Sequence, residues 1–185
     1  DLGLDRILSY QLHANGILEQ RGATATAAGD GPRHLVLHPN GQLLLAINEL
    51  SSTITSYRID AGGVSLKALS TLSTVLAGTA EGNTCSDIQI SPDGRFVYGG
   101  NRGDDSVVAL SVDGESGDLA LVGHVPCGAT PRNLGLTPNG RHLFCASQNE
   151  DRVAVFERNE ANGMLFDTGV SIAIGTPMCV QIVAI

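Results

Sequence analysis

The chain has no tryptophan, one lysine (Lys67) and only four cysteines in 185 residues. Each scarcity excludes something. Without tryptophan there is no WD40 repeat. Cys85, Cys127, Cys145 and Cys179 are scattered and form no C-x-x-C pair, so neither a zinc site nor a disulfide framework is expected. They read as small apolar core residues of a protein kept in a reducing compartment, which points to a cytoplasmic location. No apolar run is long enough to cross a bilayer, and no basic stretch leads into an apolar one as in a secretory leader. Helical periodicity is missing throughout. So are the nucleophile elbow G-x-S-x-G, the P-loop and the dinucleotide fingerprint, which removes serine hydrolases, NTPases and NAD enzymes. His34 and His38 cannot share a metal ion, because four residues of strand span about 13 Å. No metal and no cofactor is expected. The net charge of −8 argues against nucleic acid or an anionic membrane as partner. An anionic ligand would have to be held locally, by a few of the ten arginines, whose rigid fork matches carboxylate and phosphate oxygens.

What is present is a repeat. The turns "HPNG", "SPDG" and "TPNG" place Pro39, Pro92 and Pro138 at intervals of 53 and 46 residues. Each proline is followed by Asn or Asp and then Gly, the chemistry of a tight turn. A strand-like run precedes each turn ("HLVLH", "DIQIS", "NLGLT"). Three more follow, for example "QLLLAIN", "STITSYRI" and "LKALSTL" after the first. Four short strands at a period of about 40–50 residues predict propeller blades. The fold class is therefore all-β, with four-stranded antiparallel blades over residues 31–77, 84–128 and 131–175. Residues 1–30 read as the last two strands of another blade, and "PMCVQIVAI" at 177–185 as a single closing strand. Three full blades cannot close a ring. The expectation is about half of one propeller domain, its C-terminal half, with a missing N-terminal half as its partner.

"GPRHLVLHPNG", "NELSST", "SPDGRFVYGGNRGDDSV" and "TPRNLGLTPNGRHLFCASQN" resemble the lactonase family of seven-bladed propellers. Its members include the propeller-type 6-phosphogluconolactonases and the fungal carboxy-muconate lactonizing enzymes. The resemblance runs through essentially the whole chain, including "PMCV". It implies a seven-bladed ring and a metal-independent lactonase that binds a small anionic sugar lactone or a related carboxylate.

The repeat also aligns the polar residues. Glu49, Arg102 and Gln148 share one blade register, just after the second strand. Arg33, Ser86 and Arg132 share another at the start of the first strand, and His34, Asp87 and Asn133 the next. Equivalent positions of successive blades face the same mouth of the channel, so groups far apart in sequence gather in space. Glu49, Arg33 and Arg102 match the positions that the resemblance implies are catalytic, with His34 beside them. A further family histidine would lie upstream of this sequence. Arg132, Asp87, Gln148 and Asn101 are the expected substrate-binding residues. Asp87 stands where the family usually has Glu, one methylene longer, which puts its reach in question.

The expected function is hydrolysis of a sugar-derived lactone, above all 6-phosphogluconolactone in the pentose phosphate pathway. Glu49 is the expected base, and Arg102 and Arg33 the groups for the anion and the oxyanion. Two alternatives stay open: a cycloisomerase acting on a muconate-type dicarboxylate, and a propeller used only as a binding scaffold.

Overall fold

The computed structural model describes residues 1–77 and 81–183. It is built from antiparallel sheets in sequence order. β1 (Arg6–Leu12) and β2 (Leu18–Ala25) form a two-stranded sheet. Three four-stranded sheets follow. The first holds β3 (Pro32–Leu37), β4 (Leu43–Asn48), β5 (Thr53–Ile59) and β6 (Leu66–Ser73). The second holds β7 (Thr84–Ile90), β8 (Phe96–Arg102), β9 (Ser106–Val112) and β10 (Leu119–Pro126). The third holds β11 (Pro131–Leu136), β12 (His142–Ser147), β13 (Arg152–Arg158) and β14 (Leu165–Ala173). One 3-10 turn, Gln148–Glu150, is the helical content among the described residues.

Apolar residues concentrate in the two central strands of each sheet, which read as nearly continuous buried runs. Leu45, Ile47 and Ile54 of the first sheet pack with Val97, Val108 and Leu110 of the second. Tyr98 and Val107 of the second pack with Leu134, Leu143 and Phe156 of the third. Sheet faces are thus buried against each other, and each such Leu, Ile or Phe contributes about 1.5–3 kcal/mol by leaving water. The outer strands β2, β6, β10 and β14 are largely exposed.

A second, polar device fixes how one sheet follows the next. The residue just before each third strand has a left-handed backbone: Asp5 (φ 49°), Ser52 (φ 53°), Asp105 (φ 52°) and Asp151 (φ 52°). Its carbonyl accepts the backbone N–H of Thr26, Thr74, Cys127 and Ile174 respectively, which anchors the end of the fourth strand. Its side chain then reaches the segment leading into the next sheet. Asp5 accepts from the N–H groups of Gly29 and Gly31, Asp105 from Thr130 N–H, and Asp151 from Thr176 N–H. Asp tolerates this left-handed conformation better than most side chains, because its short carboxylate bonds locally.

The closing strand expected over residues 177–185 has no ladder among the described residues. Residues 177–183 form no strand, and 184–185 lie outside the described residues. A first strand needs a second strand to pair with, and 177–183 pair with none among the described residues. The segment is held instead by Asn133, whose side-chain oxygen accepts Val180 N–H at 2.7 Å.

At the opposite end of the sheets the proline turns nest into one another. Gly41, Gly94 and Gly140 donate to the carbonyls of His38, Ser91 and Thr137. His38 is buried, accepts Asn40 N–H on Nδ1, and donates from Nε2 to the carbonyl of Gly94 in the next sheet at 3.0 Å. Gly94 has φ 73°, and a Cβ there would lie 2.5 Å from His38 Nε2. Gly94→Ala is therefore expected to cost about 2–3 kcal/mol, from backbone strain plus the broken inter-sheet contact. Gly41→Ala has open space at its Cβ and carries only the conformational penalty. Thermal unfolding of the two variants checks the difference.

Candidate active site

The first strand of every four-stranded sheet carries an irregularity at the same place. Pairing slips between Pro32 and His34 in β3, between Cys85 and Ile88 in β7, and between Pro131 and Asn133 in β11. The residues left out of the ladder are Arg33, the Ser86–Asp87 pair and Arg132. A bulge of this kind re-aims side chains. Here it brings three neighbouring strands' polar groups to one mouth of the array, beside the C-terminal ends of β4 and β8.

Glu49 is the centre of the cluster. Its Oε2 lies 2.9 Å from Arg33 Nε and its Oε1 lies 2.7 Å from Arg102 Nη2. All three side chains are less than one-fifth exposed. Arg102 also donates to the Cys85 carbonyl at 2.7 Å, and Arg33 to the Ser86 carbonyl. Arg102 Nε is buried with no partner among the described residues. One carboxylate thus bridges a guanidinium from its own sheet and one from the next. Arg132 is half-buried and makes no side-chain hydrogen bond or ion pair among the described residues, yet its charge is felt at Arg33. Burial, aided by the guanidiniums of Arg102 and Arg132, presses the Arg33 guanidinium below its ordinary value against the pull of Glu49 and Asp87. Three guanidiniums against the carboxylates of Glu49 and Asp87 leave the mouth with a net positive charge on a chain whose total is −8.

Beside this clamp stands a histidine–carboxylate pair. His34 Nδ1 lies 2.6 Å from Asp87 Oδ1, and His34 Nε2 lies 3.2 Å from Arg33 Nη1. A guanidinium can only donate, so Nε2 is the acceptor and Nδ1 carries the proton that Asp87 accepts. Nε2 therefore accepts from Arg33, on a ring whose side chain is 44% exposed at the mouth. Asp87 itself is buried and accepts three more hydrogen bonds, from Ile88 N–H, Leu134 N–H and Asn133 Nδ2. The side chain at 87, which lies in the bulge, thus reaches partners on both neighbouring first strands.

Two expected substrate-binding residues do not join the cluster. Asn101 is fully buried, donates to the Thr74 carbonyl and Ser106 Oγ, and accepts from Asn83 Nδ2. It ties β8 to β9 and to the end of the first sheet beneath the mouth, because its register falls inside β8. Gln148 opens the 3-10 turn and has no side-chain hydrogen bond to the arginines. The expectation of buried cysteines holds for Cys85, Cys127 and Cys145, whereas Cys179 is exposed. Burial pushes the Cys85 thiol up to about 11, so it is inert at neutral pH. The His34–Asp87 pairing was not foreseen. Its signal was there, since the two residues share a register in consecutive repeats.

The buried Asp87 carboxyl gives an acid-stability test. Burial works to raise its pKa, but hydrogen bonds from His34, Leu134 N–H and Ile88 N–H outweigh it, and the net shift is down from the ordinary 3.8. A depressed carboxyl stabilises the fold above its unfolded value, and that stability is lost as the pH falls through the folded value. Denaturant midpoints of the protein should therefore drop below about pH 4. In Asp87→Asn, which cannot titrate, that part of the decline should be absent, and at pH 7 this variant should be less stable by about 2–4 kcal/mol.

The sequence model of the family described as lactonase, 7-bladed beta-propeller, matches residues 1–182. A 6-phosphogluconolactonase of Formosa agariphila is 36% identical over 172 residues, an alignment that covers 89% of this chain and 48% of that protein. A 6-phosphogluconolactonase of Bacillus subtilis is 30% identical, with 98% of this chain and 52% of that protein covered. The crystal structure of a periplasmic gluconolactonase from Pseudomonas aeruginosa superimposes with a TM-score of 0.91 at 31% identity, over all of this chain and 52% of that one. The chain spans about half the length of the relatives it matches. The four-stranded sheets in series, the shared bulges and the match from residue 1 to residue 182 agree: the chain belongs to the lactonase family of seven-bladed β-propellers.

Proposed function

We propose that the complete protein hydrolyses a phosphorylated sugar lactone of the 6-phosphogluconolactone type, at the mouth where Arg33, Arg102 and Arg132 gather. The observation that carries this reading is the arginine cluster, two of its members bridged by one carboxylate, beside a half-exposed histidine whose Nε2 is an acceptor. The 6-phosphogluconolactonases among the relatives support the substrate class. Blades outside this chain would complete the ring of seven and the far wall of the pocket. A phosphorylated lactone does not cross membranes unaided, so the reading goes with a cytoplasmic enzyme.

Roles follow from the contacts. Glu49 was the expected base, but each of its oxygens already accepts from a guanidinium. We assign it to holding Arg33 and Arg102 in place. The base is His34: as Arg33 Nη1 turns from Nε2 to the lactone oxygen, Nε2 takes a proton from water and the water oxygen attacks the lactone carbonyl carbon. The carbonyl oxygen gains the negative charge, and the guanidinium N–H groups of Arg33 and Arg102 stabilise it. The ring C–O bond then breaks, the departing oxygen takes the proton back from the imidazolium, and the open-chain acid results. Asp87 keeps the proton on Nδ1 throughout. Arg132 is free to take the phosphate.

Steady-state kinetics on the complete protein, with phosphorylated and unphosphorylated gluconolactone, tests the assignment. His34→Gln is expected to lower kcat by about 10²–10⁴ on both lactones. Arg132→Ala is expected to raise KM for the phosphorylated lactone about tenfold or more and to change the other little. Glu49→Gln releases two arginines and is expected to raise KM more than it lowers kcat. A collapse of kcat at unchanged KM would return the role of base to Glu49. No turnover of either lactone by the unsubstituted protein would sink the hydrolase reading in favour of a binding scaffold.

A further inference from the structure

The registers of His34, Asp87 and Asn133 do more than point the same way: they are wired in series. Asp87 in the second sheet meets His34 Nδ1 of the first at 2.6 Å and Asn133 Nδ2 of the third at 2.6 Å. Asn133 Oδ1 in turn accepts Val180 N–H at 2.7 Å. The pattern repeats around the axis. Two of the three side chains at this register receive the backbone N–H one residue further along in the next repeat, Leu134 for Asp87 and Val180 for Asn133. We propose that Asn133 is a positioning residue for catalysis, which acts through Asp87 to hold the His34 proton on Nδ1 and so keep Nε2 the acceptor nitrogen at the mouth.

The physical argument concerns where the charge of Asp87 goes. Its carboxylate is buried and accepts four hydrogen bonds, two on each oxygen: His34 Nδ1–H and Ile88 N–H on Oδ1, Asn133 Nδ2–H and Leu134 N–H on Oδ2. The donors on Oδ2 draw negative charge away from His34. Without Asn133 Nδ2–H, more of it falls on the Nδ1–H side. The imidazolium is then favoured over the neutral ring, and the ring holds its proton to higher pH. Asn133 also sets direction. Its amide oxygen is fixed by Val180 N–H, which leaves only its NH₂ to face Asp87. The other charged groups at this place are Arg33, beside His34 on β3, with Glu49 and Arg102 across the clamp and Arg132 on β11. All act on His34 in the unsubstituted and substituted protein alike.

The proposal rests on His34 as the base, so both are tested together in the complete protein. The readouts are the pH dependence of kcat/KM on 6-phosphogluconolactone, corrected for uncatalysed hydrolysis, and the pH titration of the His34 ring by nitrogen NMR on histidine-labelled protein. His34→Gln identifies the resonance. Asn133→Leu removes the donor at similar size. Asn133→Asp keeps the shape and the acceptor for Val180 N–H, and covers the case in which the leucine variant does not fold. In both, the acid limb of kcat/KM and the His34 titration are expected to move to higher pH, by about 0.5–1 unit for the leucine variant. At pH values well above the limb the rate should largely recover. A loss of rate that is equal at every pH, with the His34 titration unmoved, would overturn the relay and leave His34 as base untouched. Retention of full rate by His34→Gln would overturn the base assignment, and the relay with it.

Discussion

The left-handed residue ahead of each third strand sets the geometry on which everything else depends. At Asp5, Ser52, Asp105 and Asp151 the backbone is turned to a positive φ, and the carbonyl is spent on closing that sheet's outer strand. With the carboxylates of Asp5, Asp105 and Asp151, the side chain is also spent on the segment that begins the next sheet. Apolar burial between sheets is non-directional and tolerates sliding. These hydrogen bonds do not. They fix the step from one sheet to the next, so that the bulges of β3, β7 and β11 arrive side by side. Arg33, Asp87 and Arg132 converge because the step repeats.

Much of this was legible in the sequence. Pro-Asn/Asp-Gly turns at regular intervals disclosed the repeat, and a gap-free register placed Glu49 with Arg102 and His34 with Asp87 before any coordinate was known. What escaped was the bulge. A ladder with strict alternation would point Arg33 and His34 to opposite faces; one skipped residue lets both serve the same mouth, and no residue type advertises it. Asn101 shows the cost of reading polarity alone: an Asn beside a candidate site, whose amide is buried and spent on Ser106 of its own sheet and on the Thr74 carbonyl at the end of the sheet before it. The tail shows another limit. "PMCVQIVAI" has the pattern of a strand, but a strand is a relation between two segments, and residues 177–183 have a single side chain, Asn133, in place of a ladder.

The choice between Glu49 and His34 as base turns on how firmly each is held: Glu49 is bridged by two guanidiniums at 2.9 and 2.7 Å and is 19% exposed, whereas His34 Nε2 has one longer contact, at 3.2 Å, on a side chain 44% exposed. A carboxylate with a guanidinium on each oxygen is a structural bridge, and a similar carboxylate with room beside it would be a base. The sequence lists both residues; only the distances of 2.9 and 2.7 Å assign the bridge. The same bridge explains how three arginines can stand close together in one mouth. One anion between two of them offsets enough repulsion to keep the group assembled while leaving Arg132 unspent.

A ring of equal repeats has a rotational symmetry that a sugar lactone lacks. Had the same residue stood at each register, a bound molecule would meet identical surroundings in several rotated poses. The register that reads Glu, Arg, Gln and the one that reads His, Asp, Asn remove that degeneracy. Glu49 and Arg102, and then His34, Asp87 and Asn133, differ in charge from one repeat to the next, so the mouth has a handed order of groups around its axis. On the proposed function, a substrate with a phosphate at one end and a reactive carbonyl at the other would match that order in one orientation, and a periodic fold would yield a unique pose.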